Sequence, residues 1–147
     1  MTEQTFDFAL TLRCYRKSLG LDQDELAELL DVAQATVSRW EAGIRAPRDP
    51  VEVLMRLYEL LDTFDDVVND VAELAMRDDD GRVILTTYEV DEHWWLADER
   101  ARDLALPASM HQAATAQAAR EISADDGTVL LTVTPPTWRP DLVGPAH

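Results

Sequence analysis

Residues 21–43 decide the fold of this chain, and they read LDQDELAELLDVAQATVSRWEAG. Asp22 occupies the position of a helix N-cap, and Glu25, three residues later, completes the pattern of a capping box. Apolar residues then recur at helical spacing and predict one buried face for a first short helix: Leu26, Ala27 and Leu30.

A turn at Asp31 and Val32 separates this helix from a second short helix. Val37 and Trp40 are three residues apart, so both are expected to point inward from the second helix. The other side chains point largely outward: Gln34, Ala35, Thr36, Ser38 and Arg39. Small, amide and guanidinium side chains suit the edges of base pairs in a DNA major groove. The pattern therefore indicates a recognition helix over residues 34–41.

Residues 8 to about 61 resemble the helix-turn-helix domain of the XRE, or Cro/cI, family of phage and bacterial repressors. The resemblance rests on Gly20, Leu21, Gln23, Leu26, Ala27, Val32, Val37, Trp40, Glu41 and Gly43. It implies a five-helix, lambda-repressor-like DNA-binding domain over residues 1–62. It also implies a structural ion pair between Arg16 and Glu41.

Two residues depart from the family pattern. Asp31 stands where the family usually has glycine, and aspartate tolerates the left-handed backbone conformation better than most residues. Ala33 stands where the family usually caps the second helix with serine or threonine. The missing cap is expected to cost about 0.5–2 kcal/mol of local stability.

The flanking segments complete this predicted domain. Gly20 ends a first helix whose buried face has the spacing 4, 3, 4. After Gly43, a loop with Arg45 and Arg48 leads to Asp49 as an N-cap, Pro50 as first helical residue and a fourth helix to Leu61. The buried face of the first helix is predicted to comprise Phe8, Leu12, Tyr15 and Leu19.

The charge of the chain constrains how it can bind DNA. The 147 residues include 13 basic and 29 acidic ones, for a net charge of −16. Because attraction to phosphate dominates non-specific affinity for DNA, a chain this acidic must present a local basic face. It is also expected to bind non-specific DNA poorly.

Cysteine, leader and membrane patterns are all compatible with a cytoplasmic protein, and the predicted DNA binding would place it at the nucleoid. Cys14 is the single cysteine, so no intrachain disulfide can form, and a small buried or half-buried residue is expected there. The N-terminal residues show neither the basic region nor the apolar run of a signal peptide. No stretch approaches the ~20 continuous apolar residues of a membrane span.

Enzymatic motifs and metal-ligand patterns are missing from the sequence. It has no Gly-x-Ser-x-Gly motif and no glycine-rich phosphate loop, and Ser109 and His111 are two apart on a predicted helix, so they do not face each other. The three histidines are scattered, and the acidic run 78–80 lacks the rest of a calcium loop. We therefore expect no enzyme, no cofactor and no metal.

The C-terminal half predicts a small α+β domain, so that the whole chain is mostly α. We expect a connecting helix over 63–77, capped by Thr63, and a turn at the acidic run. A dimerisation domain over 78–134 follows, with two or three short strands, of which 82–89 and 128–134 are two, and a helix over about 108–122. Residues 135–147 are expected to form a flexible tail.

Trp94 and Trp95 are interpreted as residues of a dimer interface or of the core. The run from these tryptophans to Leu106 and the residues after it is similar to the C-terminal region of YdiL-like proteins. That group includes anti-CRISPR-associated autorepressors, so this second resemblance implies a homodimer and an autoregulated operon.

The sequence thus predicts a homodimeric repressor of a palindromic double-stranded DNA operator. The residues expected to contact bases are Gln34, Ala35, Ser38 and Arg39. Those expected to contact phosphates are Gln23, Thr36, Arg13, Arg45 and Arg48. Two alternatives stay open: an antitoxin whose C-terminal half binds a toxin, and a protein-binding module that kept the fold without binding DNA.

Overall fold

The computed structural model describes residues 6–134, so the predicted tail and its Trp138 lie outside the described residues. As the sequence predicts, the fold is mostly α with a small sheet in the C-terminal half. The helices are α1 (Phe8–Ser18), α2 (Gln23–Leu30), α3 (Gln34–Glu41), α4 (Pro50–Glu73), α5 (Asp91–Ala97), α6 (Glu99–Leu104) and α7 (Ala108–Asp126). The strands are β1 (Met76–Arg77), β2 (Val83–Thr87) and β3 (Val129–Val133).

The chain divides into two compact units between Phe64 and Asp65. We call Met1–Phe64 the N-terminal unit and Asp65–His147 the C-terminal unit. Within residues 6–134, no helix combines the length and the apolar composition that crossing a membrane requires.

Helix α2 begins with the predicted capping box. The backbone N–H of Glu25 donates to Asp22 Oδ1 over 2.7 Å, and the backbone N–H of Asp22 donates to Glu25 Oε1 over 2.9 Å. Asp31 ends this helix in the left-handed region, at φ 58° and ψ 48°. Both features follow from local sequence chemistry, because a carboxylate can cap its own helix and can tolerate a left-handed turn.

Helix α3 begins without a side-chain cap, as its alanine predicts. Ala33 is in the extended N-cap conformation, and its side chain has no oxygen that could accept a hydrogen bond from the first turn. Its carbonyl still accepts from the backbone N–H of Thr36 over 3.0 Å and of Val37 over 3.3 Å. Backbone hydrogen bonds, and no N-cap side chain, therefore hold the first turn of α3.

Replacing Ala33 with serine is expected to stabilise the N-terminal unit by about 0.5–2 kcal/mol, because the hydroxyl would accept from the first turn of α3. Urea unfolding followed by circular dichroism would measure the change. Ala42→Ser, at the exposed other end of the same helix, is the matched control and is expected to change stability little. Equal effects of the two substitutions would contradict the capping argument.

Among the described residues the N-terminal unit has four helices and not the five that the resemblance implied, because the fourth helix continues without a break through the position of the expected fifth. Its core consists of residues from all four of these helices. The side chains of Leu12, Leu19, Leu26, Val37 and Leu57 are completely buried. Phe8 packs edge-on against Trp40, with ring centroids 6.2 Å apart. Three of the four residues predicted for the inner face of α1 therefore pack inward.

Two expectations for α1 were wrong. Tyr15 is 38% exposed and packs edge-on against Tyr58 instead of entering the core. Cys14 is exposed, although a buried or half-buried residue was expected. The helical period explains Cys14, because it lies two residues, or about 200°, around the helix from the buried Leu12.

Helix α4 is one continuous helix, although the sequence predicted two. Thr63 lies inside it, and the Thr63 hydroxyl donates to the carbonyl of Glu59 over 3.0 Å instead of capping a new helix. No glycine or proline interrupts residues 51–73, so the helical pattern has no reason to stop at Thr63. The helix ends at Glu73, before the acidic run that was expected to end it.

A three-stranded sheet of order β1-β2-β3 lies in the C-terminal unit. β1 and β2 form an antiparallel hairpin around the predicted acidic turn, where Asp78 Oδ1 accepts from the backbone N–H groups of Asp80 and Arg82. β2 and β3 are parallel, with Val83 opposite Val129 and Thr87 opposite Val133. The three helices α5, α6 and α7 form the crossover that a parallel pair requires.

The sequence allowed a third strand without locating β1, and it missed α5 and α6 in this unit. Trp94 lies on α5, and its side chain is 2% exposed and packs edge-on against His111. Trp95 is half-buried, and its Nε1 donates to the carbonyl of Leu106 over 2.8 Å. Trp94 is therefore a core residue of its own unit, which is the alternative that the sequence left open.

His111 is a buried histidine in α7. It is 7% exposed, and its Nδ1 lies 2.7 Å from Thr87 Oγ1. The rings of Tyr88 and Trp94 both pack edge-on against the imidazole, each with centroids 4.8 Å apart. Burial lowers the pKa of His111 to about 4, although the negative charge of Asp98 acts in the opposite direction.

The depressed pKa of His111 predicts that acid destabilises the C-terminal unit. In the unfolded chain the imidazole of His111 has a pKa of about 6.5, so below that pH it binds a proton more readily than the folded protein does. The free energy of unfolding is therefore unaffected by this group above about pH 6.5 and falls as the pH falls toward 4. We expect a loss of about 2 kcal/mol between pH 7 and pH 5 from this one group. Urea unfolding of the wild type and of His111→Gln would measure it as a difference in pH dependence, with His93→Gln as the control. An imidazole of His111 that titrates near pH 6.5 by NMR would contradict the prediction.

Candidate nucleic-acid interface

The outer face of α3 carries the side chains expected to contact DNA. Gln34, Ala35 and Arg39 are exposed, and Thr36 and Ser38 are half-buried. The inner face of the same helix is closed, because its apolar side chains, Val37 and Trp40, are buried against α1 and α2. The helix therefore presents polar and small side chains outward from a rigid support.

The charges around α3 are arranged differently from those of the whole chain. Between Val32 and Arg48 every exposed charged side chain is an arginine: Arg39, Arg45 and Arg48. Glu41 is the one acidic residue in this segment, and it is 4% exposed. The three arginines form no ion pair with any described residue, so their guanidinium groups remain available to a ligand.

Gln34 is oriented by a neighbouring amide. Gln34 Nε2 donates to Gln23 Oε1 over 2.9 Å, and Gln23 Nε2 donates to Glu41 Oε1 over 3.1 Å. This chain of hydrogen bonds fixes which end of the Gln34 amide is nitrogen. One N–H and the oxygen of that amide remain, which is the donor and acceptor pair that adenine N7 and N6 require.

Gln23 also marks the start of α2. Its backbone N–H has no acceptor among residues 6–134, as is usual for the first residue of a helix. An unsatisfied N–H at a helix N-terminus favours an anion such as a phosphate oxygen. The hydrogen bonds of its side chain tie this terminus to Gln34, the first residue of α3, and to Glu41, the last.

Arg16 and Glu41 form a two-pronged ion pair between α1 and α3. Arg16 Nε lies 2.6 Å from Glu41 Oε2, and Arg16 Nη2 donates to Glu41 Oε1 over 2.8 Å. A third donor, Arg16 Nη1, bonds the carbonyl of Leu21 over 2.9 Å. The guanidinium thus ties the last residue of α3 to the loop before α2.

Opposing effects act on the pKa of Glu41. Burial acts to raise it, but hydrogen bonds from Arg16 and Gln23, and the charges of Arg16 and Arg13, lower it overall. The pKa of Arg16 is raised, chiefly by its hydrogen bond to Glu41, although burial acts against this. Both groups therefore remain charged at neutral pH.

Arg13 contacts the same end of α3. It is half-buried, and its Nη1 donates to the backbone carbonyl of Glu41 over 3.0 Å. The sequence proposed Arg13 as a phosphate contact, and the structure adds a bond that holds the C-terminus of α3. The positive charge of Arg13 is also favourable beside the C-terminus of α3, which is the negative end of the helix dipole.

A short loop places two arginines after α3. Gly43, at φ 73°, allows the chain to turn, and the backbone N–H of Ile44 then bonds the carbonyl of Arg39 over 3.1 Å. Asp49 Oδ1 accepts from the backbone N–H of Glu52 over 3.1 Å and starts α4 as predicted. Arg45 and Arg48 lie in this loop, together with Ile44, whose 77% exposure was not anticipated.

Metal-binding clusters do not occur in the part of the chain that the structure describes. Among residues 6–134, no group of three or more histidine, cysteine, aspartate or glutamate side chains is arranged to hold a metal ion.

The N-terminal part of the chain matches a known family. Residues 12–51 match the helix-turn-helix family model, which covers most of α1, all of α2 and α3 and the start of α4. This type of domain occurs in DNA-binding transcription regulators. No curated protein sequence matches the chain. The resemblance of the C-terminal half to YdiL-like proteins is not supported.

Proposed function

We propose that the protein is a homodimeric repressor that places α3 in the DNA major groove, because residues 12–51 match the helix-turn-helix family model. The observation that carries this proposal is the charge pattern around α3. In a chain of net charge −16, all exposed charges between Val32 and Arg48 are arginines. Such a local basic face is what binding to phosphate requires of an acidic protein.

The outer face of α3 accounts for base recognition in this proposal. Gln34 pairs with adenine N6 and N7 through its oriented amide, and Arg39 pairs with guanine O6 and N7. Ala35 contacts a thymine methyl group, and Ser38 allows close approach to the base edges. These side chains lie on one exposed face of one helix, so a single docking geometry serves all four.

The surrounding donors account for the position of the protein on the duplex. The phosphate contacts in this proposal are Gln23, Thr36, Arg13, Arg45 and Arg48. Contacts of this kind fix the register of the recognition helix and carry no sequence information themselves. The remaining negative charge of the chain repels phosphate and keeps non-specific affinity low.

The dimer is assigned to residues 78–134. β3 is an edge strand of the described sheet, and its Leu131 and Val133 side chains are exposed. An edge strand with exposed apolar side chains is a surface that a second chain commonly covers. A dimer would present two recognition helices to half-sites about 34 Å apart, so the operator would be palindromic.

Light scattering is expected to give about twice the 16.5 kDa mass of one chain at micromolar concentration. Leu131→Lys should shift the mass to that of a monomer, because it puts a charge on the proposed interface. Leu104→Lys is the matched control, since Leu104 is exposed on α6 and should leave the dimer intact. A wild-type mass of one chain would contradict the dimer.

Selection from random duplexes would test the proposed function as a whole. We expect the enriched sequences to share a two-fold symmetric motif with half-sites centred about one helical turn apart. If the operator overlaps the protein's own promoter, binding would exclude polymerase and make the regulator autogenous. Enrichment of no sequence after repeated rounds would contradict sequence-specific binding.

A further inference from the structure

The C-terminal unit contains a cavity for which the DNA-binding proposal has no use. Its volume is about 340 Å³, and it lies between the C-terminal part of α4, β2, α5 and α7. Cavities from about 300 Å³ upward accommodate small organic ligands. All of its lining residues lie between Val67 and His111, so none of them belongs to α3.

The carboxylates that line the cavity give it a negative charge. Asp70, Glu73 and Asp98 all line it, and no arginine or lysine is among the described lining residues. Burial raises the pKa of Asp70, and the nearby charges of Asp98, Glu73 and Asp66 raise it further, although the positive charge of Arg100 acts in the opposite direction. Like charges therefore repel one another here, and a cation would relieve that repulsion.

Aromatic side chains line the same cavity. Tyr88, Trp94 and His111 are each at least nine-tenths buried and contribute to its wall. Aromatic rings beside carboxylates form a suitable environment for an organic cation, because the ring face attracts positive charge. A bare metal ion fits less well, because no cluster of metal-ligating side chains occurs among residues 6–134.

His111 adds an unpaired nitrogen to this wall. Its Nδ1 is the ring nitrogen that contacts Thr87 and Thr115, and Nε2 has no hydrogen-bond partner among the described residues. Every fully buried side-chain nitrogen or oxygen among those residues does have a partner. Nε2 therefore keeps an exposed surface, and the cavity is the open space that the ring lines.

We propose that this cavity binds a small organic cation, a protonated amine with an apolar body. The carboxylates of Asp70, Glu73 and Asp98 would neutralise the ammonium group, and Nε2 of His111 would accept one of its hydrogens. The aromatic and aliphatic walls would bury the apolar body. This inference does not depend on DNA binding, so each proposal can fail without the other.

Isothermal titration calorimetry of the full-length protein would test the proposal with three probes of nearly equal shape. These are benzylammonium, benzyl alcohol and benzoate, each titrated at about 150 mM salt so that diffuse attraction to the acidic chain is screened. We expect benzylammonium to bind once per chain, at least about tenfold more tightly than the alcohol, and benzoate not to bind. Equal binding of the amine and the alcohol, or no binding of the amine, would overturn the proposal.

Two variants would locate the binding. Glu73→Gln combined with Asp98→Asn removes two lining charges, and asparagine retains the N-cap that Asp98 provides to Ala101. We expect about tenfold weaker binding of benzylammonium to this variant. Glu92→Gln, an exposed site that does not line the cavity, is the control and should bind like the wild type. An equal loss in the control would mean that net charge, and not the cavity, attracts the amine.

Discussion

Replacing Arg39 with alanine is expected to weaken binding to the operator by about 1–3 kcal/mol and to relax specificity at one base pair of each half-site. The guanidinium is exposed on the outer face of α3 and forms no ion pair with residues 6–134. Its loss therefore removes a contact to DNA without removing a contact that holds the domain together.

Gln34→Ala is expected to cost a similar amount at a different base pair. Its oriented amide is the second side chain on this face, after Arg39, that can form two hydrogen bonds with one base. The double variant should lose sequence preference altogether. Arg120→Ala is the matched control, since Arg120 is exposed on α7 and outside the matched helix-turn-helix segment. Affinities would be measured by fluorescence anisotropy on operator duplexes with single base-pair changes. Unchanged operator affinity in both single variants would rule out this reading face.

Arg16→Ala is expected to destabilise the N-terminal unit by about 3–5 kcal/mol, the largest effect on stability that we predict. The substitution leaves the carboxylate of Glu41, which is 4% exposed, without its main partner. It also removes the hydrogen bond to the carbonyl of Leu21. Thermal and urea unfolding would measure the loss, and Lys17→Ala, which removes a neighbouring exposed cation, should change stability little.

Removing both charges together should cost less than removing one. In Arg16→Met with Glu41→Leu no charge is left buried, so part of the stability should return. The lowered pKa of Glu41 adds a pH dependence to the wild type. Its stabilising contribution is complete above the ordinary pKa of a glutamate and is lost as the pH falls through the lower pKa of the folded state. A melting temperature unchanged by Arg16→Ala would contradict the structural role of the pair.

Local chemistry made the helix-turn-helix predictable from sequence. The capping box of Asp22 and Glu25, the left-handed Asp31 and the uncapped Ala33 each depend on residues within one turn of the chain. The inward direction of Val37 and Trp40 follows from helical spacing in the same way. These features agree with the structure because few distant contacts are needed to specify them.

Other features depend on packing between distant residues, and the sequence could not supply them. The end of α4 at Glu73 depends on Met76 and Arg77 pairing with β2, which a two-residue strand does not signal. The burial of Trp94 depends on α5 packing in its unit, and a Trp-Trp pair alone does not distinguish core from interface. The hydrogen bond from Gln34 to Gln23 spans eleven residues, so its geometry emerged only from the fold.

The central claim is that α3 recognises a specific DNA sequence upstream of the protein's own gene, and one titration tests it most directly. Fluorescence anisotropy would compare the duplex upstream of the protein's own gene with a scrambled duplex, at about 50 and about 200 mM salt. We predict tight binding to the upstream duplex, weakened by salt because arginines contact phosphates, and lost on scrambling. Equal weak binding to both duplexes would contradict autogenous regulation by a sequence-specific helix-turn-helix protein.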